Sequence, residues 1–278
     1  VVATDPLPLR DRLRTLYPAS SGRTLKGWLL AGRVRVNGTV VRRGDAAVRP
    51  DDHVELGDVP PPEFPTALRR IHEDDDVIVI DKPPGLLTIA TEHERERTAY
   101  RLLMDYLAAV GGRIFVVHRL DRETSGLLVF ARSPWAKQKL QEQFAERAVE
   151  RVYVAVVEGR VSADAGTLSG HLVQDRHLRV RPTRDRRAGK EAITHYRVLR
   201  RGPRTTALEL TLGTGRRGQI RAQLAGMGHP IVGDAAYGSR TNPLRRLCLH
   251  AARLGFTHPR GRRVVYESPA PAAFERLR

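Results

Sequence analysis

A two-domain α/β chain of the α+β type is what this sequence predicts, on three observations. At 278 residues it is long enough for a sizeable core and, as a prior, two domains. Short apolar runs bounded by polar and Gly positions, such as Ile114 to Val117 and Leu127 to Ala131, read as buried strands. Between such runs lie helical spacings, clearest in Thr98 to Ala109, where Ala99, Leu102, Leu103, Tyr106 and Leu107 fall on one face.

The prolines at 60, 61, 62 and 65 make a short semi-rigid spacer. They divide the chain into a small module over residues 1–59, a linker over 60–66 and a larger domain over 67–278. In the first, Thr24 to Ala31 is expected to be helical, with Gly32 ending it. Arg33 to Val36 alternates basic and apolar side chains, Asn37-Gly38 signals a two-residue hairpin turn, and Thr39 to Val41 returns. Alternation puts Arg33 and Arg35 on one face, opposite Val34 and Val36. A further strand is expected over His53 to Leu56. In the larger domain Val77 to Ile80 reads as a strand, Pro83 to Gly85 as a turn, Pro134 to Ala148 as a second amphipathic helix and Val152 to Val157 as a strand. Arg176 to Lys190 is too densely charged to bury and reads as an exposed basic arm or loop. Residues 192–212 supply two more strands, with Leu208, Leu210 and Leu212 on one face. Gln219 to Met227 reads as a helix.

Charge narrows the function. The formal net charge is +17, and of 48 Lys and Arg only five are Lys. Neutralising phosphates releases counterions, so an excess of this size predicts a polyanionic partner, and Arg in particular forks onto phosphate oxygens and stacks on bases. Cys248 is the sole cysteine, which excludes an internal disulfide and a cysteine-based zinc site; in Leu247 to Leu249 it reads as a small buried hydrophobe. No apolar stretch approaches transmembrane length and the first residues lack an apolar signal region, so a cytoplasmic protein, acting as a monomer, is expected.

The chemistry concentrates between Arg113 and Arg132. The strands there enclose nine mostly polar residues, His118 to Gly126, a loop fixed at both ends by core. Asp121 has Arg119 and Arg122 beside it, and neighbouring cations favour the charged form of a carboxylate, which suits a nucleophile or an electrostatic stabiliser. Read alone, the loop equally describes an Asp that pairs with Arg and caps a turn.

His118 to Gly126, however, resembles the signature loop of the RluA-type pseudouridine synthases. Five further stretches are similar to that family in its order: Asp81 to Leu87, Arg151 to Gly159, Thr214 to Arg221, Gly228 to Gly238 and Leu249 to Pro259. The resemblance covers about Ile78 to Pro259. Gly32 to Gly38, in its helix-hairpin setting, resembles the S4 RNA-binding module. Together these imply a synthase catalytic domain with a mixed, largely antiparallel sheet flanked by helices, preceded by a small S4-like α/β module.

The implied activity is isomerisation of specific uridines in structured RNA. The S4-like module favours large-subunit ribosomal RNA; transfer RNA, or a non-catalytic RNA-binding protein keeping the fold, are the alternatives. Breaking N1–C1′, turning the base and joining C5 to C1′ involves no redox change and no group carrier, so no cofactor and no metal are expected. By resemblance Asp121 is the nucleophile, with attack at C1′ or at C6 left open. Tyr153 would stack on the target base and take part in removing the C5 proton; a phenol acting as base would need help from nearby cations. Arg221 would pair with Asp121, and Arg119 would fill the gap left by the extruded base. Arg122, Arg33 and Arg35 are expected to contact RNA, and His118 and Leu249 to line the substrate pocket. Gly218 stands where the family usually has His, a departure that concerns local loop packing rather than the nucleophile.

Other chemistries fit less well. Gly213, Gly215 and Gly218 satisfy a dinucleotide-binding glycine pattern between a strand and a helix, but no acidic residue ends a convincing second strand, and Asp234 sits in a Gly-flanked turn. A hydrolase elbow around Ser125 is missing, since Glu123 stands where Gly is needed. The histidines show no metal-binding pair with a partner acid; His118 and His250 are expected to orient loops through hydrogen bonds.

Overall fold

A computed structural model describes residues 6–58, 63–92, 94–108, 111–175 and 179–277. The chain divides into two compact units, Val1–Glu63 with Tyr106–Gly112, and Phe64–Asp105 with Arg113–Arg278.

The smaller unit comprises β1 (Leu7–Pro8), α1 (Leu9–Leu16), α2 (Gly22–Leu30), β2 (Val34–Val36), β3 (Thr39–Val40), β4 (Ala47–Val48) and β5 (Val54–Leu56). Leu9 and Leu13 of α1 meet Leu25 and Leu29 of α2 over Val34 and Val48, a core made by i,i+4 pairs on two helices. The sequence reading passed over α1. The α2 helix starts earlier than expected because Ser21 caps it, its Oγ accepting from Thr24 N–H at 3.1 Å. The Asn37-Gly38 turn forms with φ of 51° and 80°, both positive, as a two-residue hairpin of matching twist requires.

The larger unit adds β6 (Arg69–Glu73), β7 (Val77–Lys82), α3 (Ala99–Ala108, whose residues from Tyr106 onward are grouped with the smaller unit), β8 (Phe115–Val116), β9 (Ser125–Ala131), α4 (Pro134–Ala145), β10 (Glu150–Glu158), β11 (Ala165–Gln174), β12 (Val180–Thr183), β13 (Lys190–Arg201), β14 (Thr205–Leu212), α5 (Gln219–Gly226), β15 (Leu249–Thr257) and β16 (Arg263–Glu267). One 11-stranded sheet runs β12-β11-β13-β14-β10-β15-β9-β7-β6, with β16 on β15 and β8 on β9. Its pairings are antiparallel except β15 with β9, which makes the sheet mixed and largely antiparallel as the family resemblance implied. Val77, Val79, Leu127 and Val129 bury one face against Ala136 and Leu140 of α4. At the parallel junction Gly126 has φ of +112°, and a Cβ there would collide with the Ala251 backbone, so only glycine permits the approach.

One expectation changes. The basic stretch read as an exposed arm or loop contains a strand, β12, paired with β11 and anchored by buried Val180; Arg and Pro182 on an edge strand blunt it against further pairing. Residues 176–178 of that stretch lie outside the described residues. The sequence argument against a dinucleotide site holds: the glycine pattern at 213–218 follows β14, which is antiparallel to both its neighbours, so the βαβ crossover of such a site is absent there.

Candidate active site

Asp121 lies on the loop between β8 and β9, and that loop is stapled from beneath by the Asp81–Leu87 stretch. Lys82, fully buried, sends its Nζ to the carbonyls of Pro83 (2.8 Å), Leu86 (2.7 Å) and Arg122 (3.1 Å). Burial pulls its pKa down to about 7, yet three acceptors use all three ammonium hydrogens, a set that a neutral amine with two cannot fill. We therefore take Lys82 as charged. Gly85 N–H also donates to the Arg122 carbonyl at 2.9 Å. Buried Thr88 grips the residue before Asp121, its Oγ1 donating to Leu120 O at 2.9 Å and accepting from Leu120 N–H at 3.2 Å. The backbone on both sides of Asp121 is thus fixed, which orients the carboxylate between them.

The cation that meets Asp121 comes from α5. Arg221 Nη1 lies 3.4 Å from Asp121 Oδ2. The same guanidinium forks onto Asp234, with Nε and Nη2 each 2.7 Å from a carboxylate oxygen, and lies 4.7 Å from the centre of the Tyr237 ring. Burial alone would lower the Arg221 pKa, but the bonds and charge of Asp234, with Asp121 adding, raise it above the ordinary Arg value. Sequence reasoning assigned Arg221 through its motif and missed Asp234, whose side chain is 1% exposed. A buried acid in a Gly-flanked turn, at Gly233-Asp234, was the available signal.

The start of α5 is set by Gln219, buried at the head of the helix. Its Oε1 accepts from Thr214 Oγ1 (2.8 Å) and Arg216 N–H (3.0 Å), and its Nε2 donates to Ile193 O (3.0 Å) and Thr194 Oγ1 (2.9 Å). The loop carrying the glycines is thereby tied to β13. Gly218 takes φ of +58°, and a Cβ there would come within 2.9 Å of the Tyr237 hydroxyl. Both features favour glycine at this position.

Tyr153 and Leu249, on neighbouring strands β10 and β15, wall the same cleft as Arg119, Asp121 and Arg221, a space of about 150 Å³. Tyr153 is buried, and burial pushes its phenol up to about 12; Arg151 pulls it down and Asp121 pushes it up. The cationic help anticipated for this phenol is outweighed by desolvation. Arg119 is exposed at the cleft.

The remaining assignments divide. Arg122 turns away from Asp121: its Nε donates to Gly85 O at 3.1 Å, and it lies 3.5 Å from Glu123, so it belongs to the stapling of the loop. His118 faces a neighbouring cavity rather than the cleft. Its Nε2 accepts from Val129 N–H at 3.1 Å, which leaves the proton on Nδ1, and its ring stacks on Phe144 at 4.6 Å. Burial, reinforced by Arg151, pulls its pKa down to about 3, so the ring is neutral. His250 also orients structure, Nδ1 bonding Ser125 Oγ at 2.8 Å while Nε2 donates to Ser268 O at 3.1 Å. In the smaller unit Arg33 donates to Gly57 O at 3.2 Å beside Trp28, and Arg35 lies along Gly57. Asp74, Asp76 and His258 bring one ligand atom each within 4.8 Å of one another, but His72 already pairs with Asp74 and Arg260 with Asp76. Among the described residues no helix is long and apolar enough to cross a membrane.

The chain is similar to known proteins. A family model described as RNA pseudouridylate synthase matches residues 76–226. A Bacillus subtilis protein named uncharacterized RNA pseudouridine synthase YlyB is 38% identical over 88% of this chain and 84% of its own. A ribosomal large subunit pseudouridine synthase D from Neisseria meningitidis is 35% identical over 93% and 74%. The solved structure of human RNA pseudouridylate synthase domain containing 1 superposes with a TM-score of 0.63 at 24% identity, over 73% of this chain and 84% of that one, a likeness of fold. With the loop, the tyrosine strand and the arginine helix meeting at one cleft, the chain belongs to the RNA pseudouridine synthases of the RluA type, and is an isomerase.

Proposed function

We propose that this chain isomerises specific uridines of large-subunit ribosomal RNA and that Asp121 is its nucleophile. The observation that carries the reading is the Asp121–Arg221 pair, at 3.4 Å, in a cleft walled by Tyr153 and Leu249. The target nucleotide leaves its helix to enter the cleft, and the exposed Arg119 guanidinium occupies the vacancy, recovering part of the unstacking cost of a few kcal/mol. The Asp121 carboxylate bonds to the nucleotide at C1′ or C6, the N1–C1′ bond breaks, and the base turns. C5 then bonds to C1′, C5 gives up its proton, N1 gains one, and the carboxylate is released. Arg221, gripped by Asp234, keeps the carboxylate aimed through these steps. Tyr153 stacks on the base and serves the C5 proton. Its phenol is raised in part by the charge of Asp121, so bonding of that carboxylate to the nucleotide removes one of the influences that hold the proton on oxygen.

The ribosomal substrate is supported by the Neisseria meningitidis relative, which is named for the large subunit, and by the charge of +17. We assign the smaller unit as an S4-like RNA-binding module, with Arg33 and Arg35 on its hairpin as contacts. Mapping pseudouridines in cellular RNA with and without the gene tests this: loss of a large-subunit position is expected. Loss confined to transfer RNA would move the substrate, and an unchanged map would leave a non-catalytic RNA-binding protein.

A further inference from the structure

Beside the cleft lies a second cavity of about 420 Å³ that shares Tyr153, Arg119 and Arg216 with it. Its floor carries Arg151, which is 9% exposed. Among the described residues Arg151 has no acidic partner, and its Nε is buried with nothing to accept its hydrogen. The guanidinium lies over the Phe144 ring, 5.7 Å from its centre, and Gly215 leaves it uncovered, since a Cβ there would collide with Nη1. Among the described residues no Asp or Glu lines the cavity, while Arg216 stands exposed at it. A buried cation without a counter-ion is costly, and removing the charge would relieve that cost unless something binds there. The matching ligand is a small anion able to take two parallel N–H bonds, as a phosphodiester does.

We infer that this cavity seats the RNA phosphate flanking the everted nucleotide, and that Arg151 grips it. This rests on the reaction proposed above and adds a positioning residue to it. Arg151 stands two residues before Tyr153 on β10, on the same side of the strand, so a phosphate held there fixes the nucleotide relative to the phenol.

The test uses synthetic oligoribonucleotides spanning the uridine that the chain modifies, each with one phosphodiester replaced by a neutral methylphosphonate. For the unaltered protein, one flanking linkage is expected to weaken binding about tenfold or more. Arg151→Met should weaken binding of unmodified RNA by a similar factor and become indifferent to that linkage, a non-additive pair. The slope of log affinity against log salt should fall by about 0.7. Arg151→Lys should recover part of the loss. Arg216→Ala, at an exposed position, should show the same coupling more weakly, and it carries the test if Arg151→Met fails to fold by melting. Losses that multiply at every linkage, for both variants, overturn the seat, as does a shift in the pH–rate profile with affinity unchanged. Product on unmodified RNA checks the underlying reaction separately: its absence overturns both, whereas product with multiplicative losses overturns only the phosphate seat.

Discussion

Arg221 and Arg151 bound two spaces that meet at Tyr153, and their surroundings differ in kind. Arg221 forks onto buried Asp234 and reaches Asp121, so its charge is balanced within the fold. Arg151 is the more buried of the two and has no acid among the described residues. The difference teaches that one guanidinium is built to hold a protein carboxylate still, while the other is kept at a cost to stability and needs an anion from outside. Removing the first should harm the fold; removing the second should not.

Arg221→Met breaks the comparison at its balanced end. It strands Asp234 as a buried unpaired carboxylate, and stability should fall by about 3–5 kcal/mol in denaturant titration, with turnover lost as Asp121 loses its aim. A drop below about 1 kcal/mol would show that Asp234 is solvated after all. The next largest effect should come from acid. His118 has its folded pKa pulled down to about 3 from an ordinary 6.5, so the unfolded chain binds more protons between those values. Its contribution to stability is therefore complete above pH 6.5 and is lost progressively as pH falls toward 3. The Tm advantage of the unaltered protein over His118→Gln should shrink across that window; a constant difference would contradict the neutral ring.

Lys82→Met leaves the carbonyls of Pro83 and Leu86 without their donor and should cost about 1–3 kcal/mol, with a fall in turnover larger than the fall in RNA affinity. Equal falls would mean that the staple does not position Asp121. At the unbalanced end, Arg151→Met should leave stability unchanged or higher by up to about 2 kcal/mol. A clear loss would show that Arg151 is a structural residue. Gly218→Ala is the mildest, about 1 kcal/mol, from positive φ and contact with the Tyr237 hydroxyl; it reads out as a small drop in Tm.

Much of this was legible because local pattern and burial agree. The apolar runs about the Asp121 loop became β8 and β9, and the leucines at 208 and 210 became a buried face of β14. The mixed, largely antiparallel sheet followed from resemblance rather than pattern. What escaped was set by distant partners. Lys82 continues the apolar strand Val77 to Ile80, and only the fold shows three carbonyls converging on its amine. Asp234 lies 13 residues beyond the arginine it grips, across a helix and a turn. Arg122 adjoins Asp121 in sequence, yet its side chain is drawn to Gly85, and the cation that Asp121 meets is 100 residues away. The edge strand β12 was hidden by its Arg and Pro content, which disguises pairing because it discourages more of it.

Single-turnover conversion of a uridine-containing RNA by Asp121→Asn, alongside its dissociation constant, tests the central claim most directly. The substitution keeps the side chain's shape and replaces the nucleophilic carboxylate with a neutral amide. Conversion should fall by more than about a thousandfold while RNA affinity stays within several-fold. Conversion within about tenfold of the unaltered protein would contradict the claim and place the nucleophile elsewhere.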